Sequence, residues 1–290
     1  MPSIQEHLVQ TSRTFALAIP LLPEPTRHTT ALAYLLFRIA DTLEDAETWS
    51  RARRQEALAE LGTLLTNPSL ATAASLSRRW LADPPTRHAG YLALLEAMAQ
   101  VMGEVEKLEA GNRRIVLEHA LRTARGMSEV IANGDDHGRV RIDSLQGLKD
   151  YCYVVAGIVG ELLTAIFVHN APSLRAVQET LERHQLEFGE GLQLVNILKD
   201  ERSDAGDGRS YMPANVPRAE VLDLARADLV AARRYIASLR RARAPGGYVA
   251  FTSLCVNLAS ASLDRLEVAS GAKLTRQDVF GILDRVKSLV

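Results

Sequence analysis

Apolar residues recur along this chain at three- and four-residue intervals, and runs that alternate residue by residue are almost absent. That period puts the apolar positions on one face of successive helices and predicts an all-α protein. Prolines and short polar clusters punctuate the pattern. Residues 8–19 read as a first helical or extended arm, stopped by Pro20 and Pro23. Pro25 fits the first turn of a long helix running to about Ala46. Helices are expected over 50–65, 69–81, 88–103 and 111–133, then a loop over 133–138. Ser144 caps a helix through about Asn170, and Pro172 opens another reaching about Arg202. Residues 204–217, with Gly206, Gly208, Pro213 and Pro217, predict a loop. Three helices remain, over 218–242, 247–269 and 275–288, the last capped by Thr275. No repeat, composition shift or long linker interrupts the series, so a single domain over 1–290 is expected.

Composition narrows the function. Hydrophobic residues make up 47% and charged residues 24%, as in ordinary globular proteins. The net charge of −1 gives no global field favouring nucleic acid or an anionic membrane. Two cysteines, Cys152 and Cys255, exclude a disulfide framework and any cysteine metal motif. The first residues lack a basic region followed by an apolar run, so no signal peptide is expected. The longest apolar stretch, 154–168, is short for a membrane span and contains Glu161. A cytoplasmic location is the expectation.

The stretch 34–45 carries the first candidate chemistry. Asp41, Glu44 and Asp45 fall three and four residues apart, which on a helix brings three carboxylates to one face. Such charges repel unless a cation sits among them. Oxygen donors in this pattern suit Mg²⁺, which takes one or two carboxylates together with water and phosphate oxygens. Arg38, one turn earlier, points along the same face and could grip a phosphate.

A second cluster lies far along the chain. Gln193, Asn196, Asp200 and Asp204 follow at intervals of three, four and four, so they line one helical face, with Leu194, Ile197 and Leu198 on others. Amides leading into carboxylates among apolar residues suit a lined cavity with a polar end. Lys199, Arg202 and Arg209 are nearby cations. Two such helices could hold Mg²⁺ ions against a diphosphate and make it a good leaving group. Between them in sequence, Cys152, Ala156, Gly160 and Thr164 form a strip of small residues at four-residue steps, widened by Gly157. Glycine inside a helix costs roughly 1 kcal/mol against alanine. Either another helix approaches closely there or the strip walls an apolar channel. Tyr151, at the start of this helix, is the candidate hydroxyl for a reacting centre.

These motifs together resemble the squalene/phytoene synthase family of head-to-head prenyl synthases, most closely its bacterial squalene synthases, over nearly the whole chain. Ser12-Arg-Thr-Phe15 followed by Leu-Leu-Pro is similar to the family's N-terminal motif. Asp41-Thr-Leu-Glu-Asp45 matches its first aspartate-rich motif, and residues 151–160 resemble its central helix. The stretch from Gly191 to Asp204, then Gly208-Arg-Ser-Tyr-Met-Pro213, is similar to its second aspartate-rich motif and the basic loop after it. The resemblance implies the all-α isoprenoid synthase fold around a deep apolar cavity. It implies Mg²⁺ binding by Asp41, Asp45, Asp200 and Asp204, supported by Glu44 and Asn196. Ser12, Arg13, Arg38, Lys199 and Arg209 would contact diphosphate. Tyr34, Gln193 and Asn196 would line the upper cavity, with Tyr211 also among the substrate contacts. Phe15, Val155, Ala156, Gly160 and Leu163 would face prenyl chains. Tyr151 matches a tyrosine assigned proton transfer or cation stabilisation. The family usually places an acidic residue directly before its last aspartate, where this chain has Ser203.

The implied reaction joins two farnesyl diphosphates through presqualene diphosphate. Hydride from NADPH then gives squalene, while proton loss gives dehydrosqualene. Phytoene synthesis from a longer substrate, a reaction that stops at presqualene diphosphate, a class I cyclase using one prenyl diphosphate and a chemically silent isoprenoid-binding protein are the alternatives. No Gly-x-Gly-x-x-Gly occurs, although the family binds NADPH without it. No C-terminal membrane anchor is expected, and an apolar mouth would allow loose membrane association during release of an oily product.

Overall fold

A computed structural model describes residues 2–46, 48–135, 140–206, 210–269 and 271–289, with 202–206 described as backbone only. It divides into two compact units. The first comprises residues 1–19 and 24–139, the second 20–23 and 140–290. Among the described residues there is no strand, and one isolated bridge joins Arg141 to Ser210. The all-α expectation therefore holds.

The first unit contains α1 (Ile4–Thr11), α2 (Phe15–Ala18), α3 (Thr26–Glu44), α4 (Arg51–Thr66), α5 (Leu70–Ala82), α6 (Ala89–Glu96), α7 (Met98–Lys107) and α8 (Ala110–Ala132). Its core forms where α3 and α4 pack on α8. Leu32, Leu35, Leu36, Ile39 and Leu43 recur on α3 at helical spacing and are all fully buried, each contributing about 1.5–3 kcal/mol by leaving water. Ser50 and Ser69 cap α4 and α5 by accepting from Arg53 and Thr72 amides, which satisfies otherwise orphaned donors. The buried Trp80 indole donates to Glu60 Oε2 at 2.9 Å.

The second unit contains α9 (Leu145–Cys152), a π-helical segment (Tyr153–Gly157), α10 (Ile158–Asn170), α11 (Gln178–Gly206), α12 (Arg218–Arg241), α13 (Gly246–Val268) and α14 (Arg276–Lys287). Its core carries Phe167 stacked on Tyr248 at 4.2 Å and Phe188 stacked on Tyr235 at 5.3 Å. Stacked rings in this range add about 0.5–1.5 kcal/mol beyond area burial. The Tyr235 hydroxyl lies 3.0 Å from Thr164 Oγ1, so its polar end is satisfied inside the core. Ser144 caps α9, and Thr275 caps α14 in a reciprocal box with Asp278, as the sequence predicts. Two helical stretches, Leu145–Asn170 and Gly246–Val268, are long and apolar enough to cross a membrane, although 154–168 alone looked short. Both are mostly buried within the protein.

Several boundaries differ from the sequence pattern. The arm at 8–19 is two short helices, because Ser12 is extended and its Oγ accepts from the Phe15 amide at 3.0 Å. Pro25 is the N-cap residue of α3 rather than part of its first turn. The helix expected over 88–103 pauses at Ala97 and resumes to Lys107. Pro172 opens a 3₁₀ turn, Pro172–Val177, ahead of α11. α11 continues to Gly206, so Asp204 belongs to the helix and not to the loop after it.

Candidate active site

In the first unit, α3 presents Tyr34, Arg38 and Asp41 one turn apart. The Arg38 guanidinium donates to Asp41 Oδ2 through Nη1, and its Nε approaches the Tyr34 hydroxyl at 3.4 Å. The Tyr34 hydroxyl donates to the Thr11 carbonyl at 2.8 Å, tying α3 to the end of α1. Phe15 packs on the Tyr34 ring at 5.4 Å. The Arg38 guanidinium lies 5.3 Å from the Tyr91 ring centre and 5.7 Å from that of Tyr34. Asp41 above all holds Arg38 firmly protonated. Burial pushes the Tyr91 phenol above its ordinary value, against the pull of Arg38.

Asp45 follows the helix end as its C-cap residue and is exposed, while Asp41 is half-buried. Glu44 departs from the expectation of three carboxylates on one surface. It is 5% exposed, turned into the core by its position 60° from Asp41 around the helix. The paired donors at this end are therefore Asp41 and Asp45. Ser12 is half-buried and Arg13 exposed.

In the second unit, α11 carries Gln193, Asn196, Lys199 and Asp200. Lys199 Nζ donates to Asn196 Oδ1 at 2.8 Å and lies 3.3 Å from Asp200 Oδ2. Lys273, from the segment before α14, reaches Asp200 Oδ1 at 3.8 Å. Gln193 is half-buried and Asn196 exposed. The side chains of Arg202, Ser203 and Asp204, and all of Arg209, lie outside the described residues. Tyr151 is 8% exposed and stacks on Tyr211 at 5.0 Å.

The small-residue strip is resolved into packing. A Cβ on Gly160 would sit 1.8 Å from the Gln185 carbonyl oxygen, and one on Gly189 would sit 1.9 Å from the Ala156 carbonyl. The backbones of α10 and α11 touch, so Gly160 and the Ala156 backbone meet α11 rather than opening onto a channel. Leu163 is also buried, while Val155 is half-buried. The π turn interrupts the strip: Ile158 donates its amide to Tyr153, five residues back, instead of four. Cys152 thus belongs to a different register from Gly160.

Sequence reasoning missed two groups. Tyr91 came from an ordinary-looking apolar helix. Glu190 and Asp228, only 8% and 6% exposed, lie on packed faces of α11 and α12, and Glu187 is nearby. Burial, then neighbouring carboxylates, raises both Glu190 and Asp228 to about 7. A charged residue in the apolar stripe of each helix was the available signal.

Oxygen donors dominate both stretches, and the described residues form no cluster of three or more acidic, histidine or cysteine groups able to enclose a metal. Pairs such as Asp41 with Asp45 fit Mg²⁺, which keeps water and substrate oxygens in most of its positions.

The helical layout places the chain among all-α proteins of the isoprenoid synthase fold. It belongs to the squalene/phytoene synthase family, whose profile matches residues 8–221. The squalene synthase of Yarrowia lipolytica is 30% identical over 205 residues, covering 71% of this chain and 43% of that protein. The squalene synthase of Bos taurus is 28% identical over 210 residues, covering 72% and 45%. The matched stretch spans under half the length of these curated relatives. The TcSQS structure with the ligand BPH1237 aligns at TM-score 0.76 and 19% identity, covering 98% of this chain and 85% of that one. A dehydrosqualene synthase structure aligns at 0.59 and 18%, covering 98% and 94%. At these identities the structural likeness speaks for the fold.

Proposed function

We propose that this chain is a prenyltransferase condensing two farnesyl diphosphates head to head, through presqualene diphosphate, to squalene. The observation that carries this is the family match over 8–221, which takes in both aspartate stretches and Tyr151. Asp41, Asp45, Asp200 and Asp204, with Asn196, would hold Mg²⁺. When bound, Mg²⁺ neutralises the charge that grows on the diphosphate as its C–O bond breaks. Arg38, Lys199, Ser12, Arg13 and Arg209 would contact diphosphate. The electron pair of the broken bond leaves with pyrophosphate, so no protein nucleophile is needed. Tyr34 and Gln193 would hold the diphosphate end, while Phe15, Val155 and Leu163 would contact prenyl chains. The Tyr151 phenol, stacked on Tyr211, would stabilise a cation or move a proton. Squalene results where NADPH supplies a hydride, and dehydrosqualene where a proton is lost instead. We place the protein in the cytoplasm, peripheral to the membrane that takes up its product.

The test is incubation with farnesyl diphosphate and Mg²⁺, with and without NADPH, and identification of the hydrocarbon. Squalene formed only with NADPH is the expected result. Dehydrosqualene or presqualene diphosphate under both conditions replaces the product assignment, and no pyrophosphate release overturns the enzyme.

A further inference from the structure

We propose that Tyr91 is a positioning residue: its ring face, with that of Tyr34, holds the Arg38 guanidinium in the place where it meets a diphosphate. The inference rests on the proposed role of Arg38 and adds to it a residue outside the motifs.

The geometry runs from local structure to the site. α6 is capped by His88, whose Nδ1 accepts from the Tyr91 amide at 3.3 Å and whose ring lies 4.0 Å from that of Tyr91. The first turn of α6 is pressed against α1: a Cβ on Gly90 would sit 2.7 Å from the Gln10 carbonyl oxygen. The Thr11 carbonyl, next along α1, accepts from the Tyr34 hydroxyl at 2.8 Å. One end of α1 therefore fixes both rings that attend Arg38. The guanidinium lies 5.3 Å from the Tyr91 centroid and 5.7 Å from that of Tyr34, both within the range of cation–π attraction. Its Nη1 and Nε are taken by Asp41 and Tyr34, and among the described residues no bond engages Nη2. A cation held by two ring faces and one carboxylate keeps an edge for a phosphate oxygen, with little side-chain freedom left to lose on binding.

The role demands a ring and not a hydroxyl. Binding of inorganic pyrophosphate with Mg²⁺, measured by calorimetry on the full chain, tests it. Tyr91→Leu is expected to weaken binding about tenfold, and Tyr91→Phe to restore it to within about twofold. Unfolding midpoints followed by circular dichroism accompany each variant, since a merely structural role would move stability and leave binding by the folded fraction unchanged. Arg38→Gln separates the two levels. If it binds pyrophosphate as tightly as the parent, the role of Arg38 fails and this inference with it. If it weakens binding while Tyr91→Leu does not, or if Tyr91→Phe weakens it as much as Tyr91→Leu, only the inference on Tyr91 is overturned.

Discussion

Asp41 does two things at once: it pairs with Arg38 and, in the proposed reaction, donates oxygen to Mg²⁺. Asp41→Ala is expected to lower pyrophosphate release from farnesyl diphosphate by about a hundred- to a thousandfold, the scale of losing a key electrostatic group. Its far-UV circular dichroism should match the parent; retained turnover would remove Asp41 from the site. The carboxyls of Glu190 and Asp228 make a different prediction. Their ordinary values of 4.5 and 3.8 are both raised to about 7 in the fold. Between roughly pH 4 and 7 the folded chain therefore binds more protons than the unfolded chain, and stability falls as pH rises through that window. Denaturant titrations at pH 4.5 and 8 should show the parent losing about 1–3 kcal/mol more than Glu190→Gln/Asp228→Asn. Identical slopes would mean that the pair is ionised as in water. Residue types and spacing made Arg38, Asp41 and Asp45 legible as one group on α3 and Asn196 with Asp200 as another on α11, because helical period alone puts each group on one face of its own helix. Period could not reveal that Glu44 turns inward or that Tyr91 reaches Arg38 from another helix, since both depend on how helices pack.

At the scale of elements, the contact of α11 with α10 and with the π turn before it depends on two glycines. Gly160→Ala or Gly189→Ala drives a methyl into a backbone carbonyl that cannot rotate away. Each should destabilise by about 3 kcal/mol or more, seen as a lower denaturant midpoint. Gly103→Ala is the control. Its Cβ would meet only the Leu70 side chain at 3.6 Å, and it should gain roughly 0.5–1 kcal/mol from helix propensity. If Gly160→Ala proved as stable as Gly103→Ala, the two helices would not touch as described. Gly160 was legible as a departure from helix propensity with a packing or cavity explanation, which only the tertiary contact separates, while Gly189 drew no such reading because its partner, the Ala156 carbonyl, lies on another element. Caps at Ser144 and Thr275 were legible outright because their signal is local. The end of α11 was not, since Gly206 reads as a breaker and yet the helix runs through Asp204.

For the whole molecule, apolar period and the scarcity of alternating runs were enough to indicate an all-helical chain. The partition into two compact units was not legible, because no linker or composition change marks residue 140. Charge is the whole-molecule property with a direct readout. With a net charge of −1 and a pI near 6.7, self-repulsion vanishes close to neutrality. Solubility should pass through a minimum between about pH 6 and 7.5 and rise on either side, measured as precipitation at fixed protein concentration. A flat profile would show that apolar surface rather than net charge controls association.

The π turn at Tyr153–Gly157 makes the long helix a shaft with a slipped thread. Counting in helical steps from Gly160 back to Tyr151 crosses that slip and arrives on the wrong side by about 100°. A one-residue deletion inside 153–157 would remove the extra residue together with the slip, so the regular helix would leave α10 seated on α11 and Tyr151 still stacked on Tyr211. Regularising the turn at unchanged chain length is what would rotate the phenol by about 100° away from Tyr211, so the slip decides where position 151 points whichever residue occupies it.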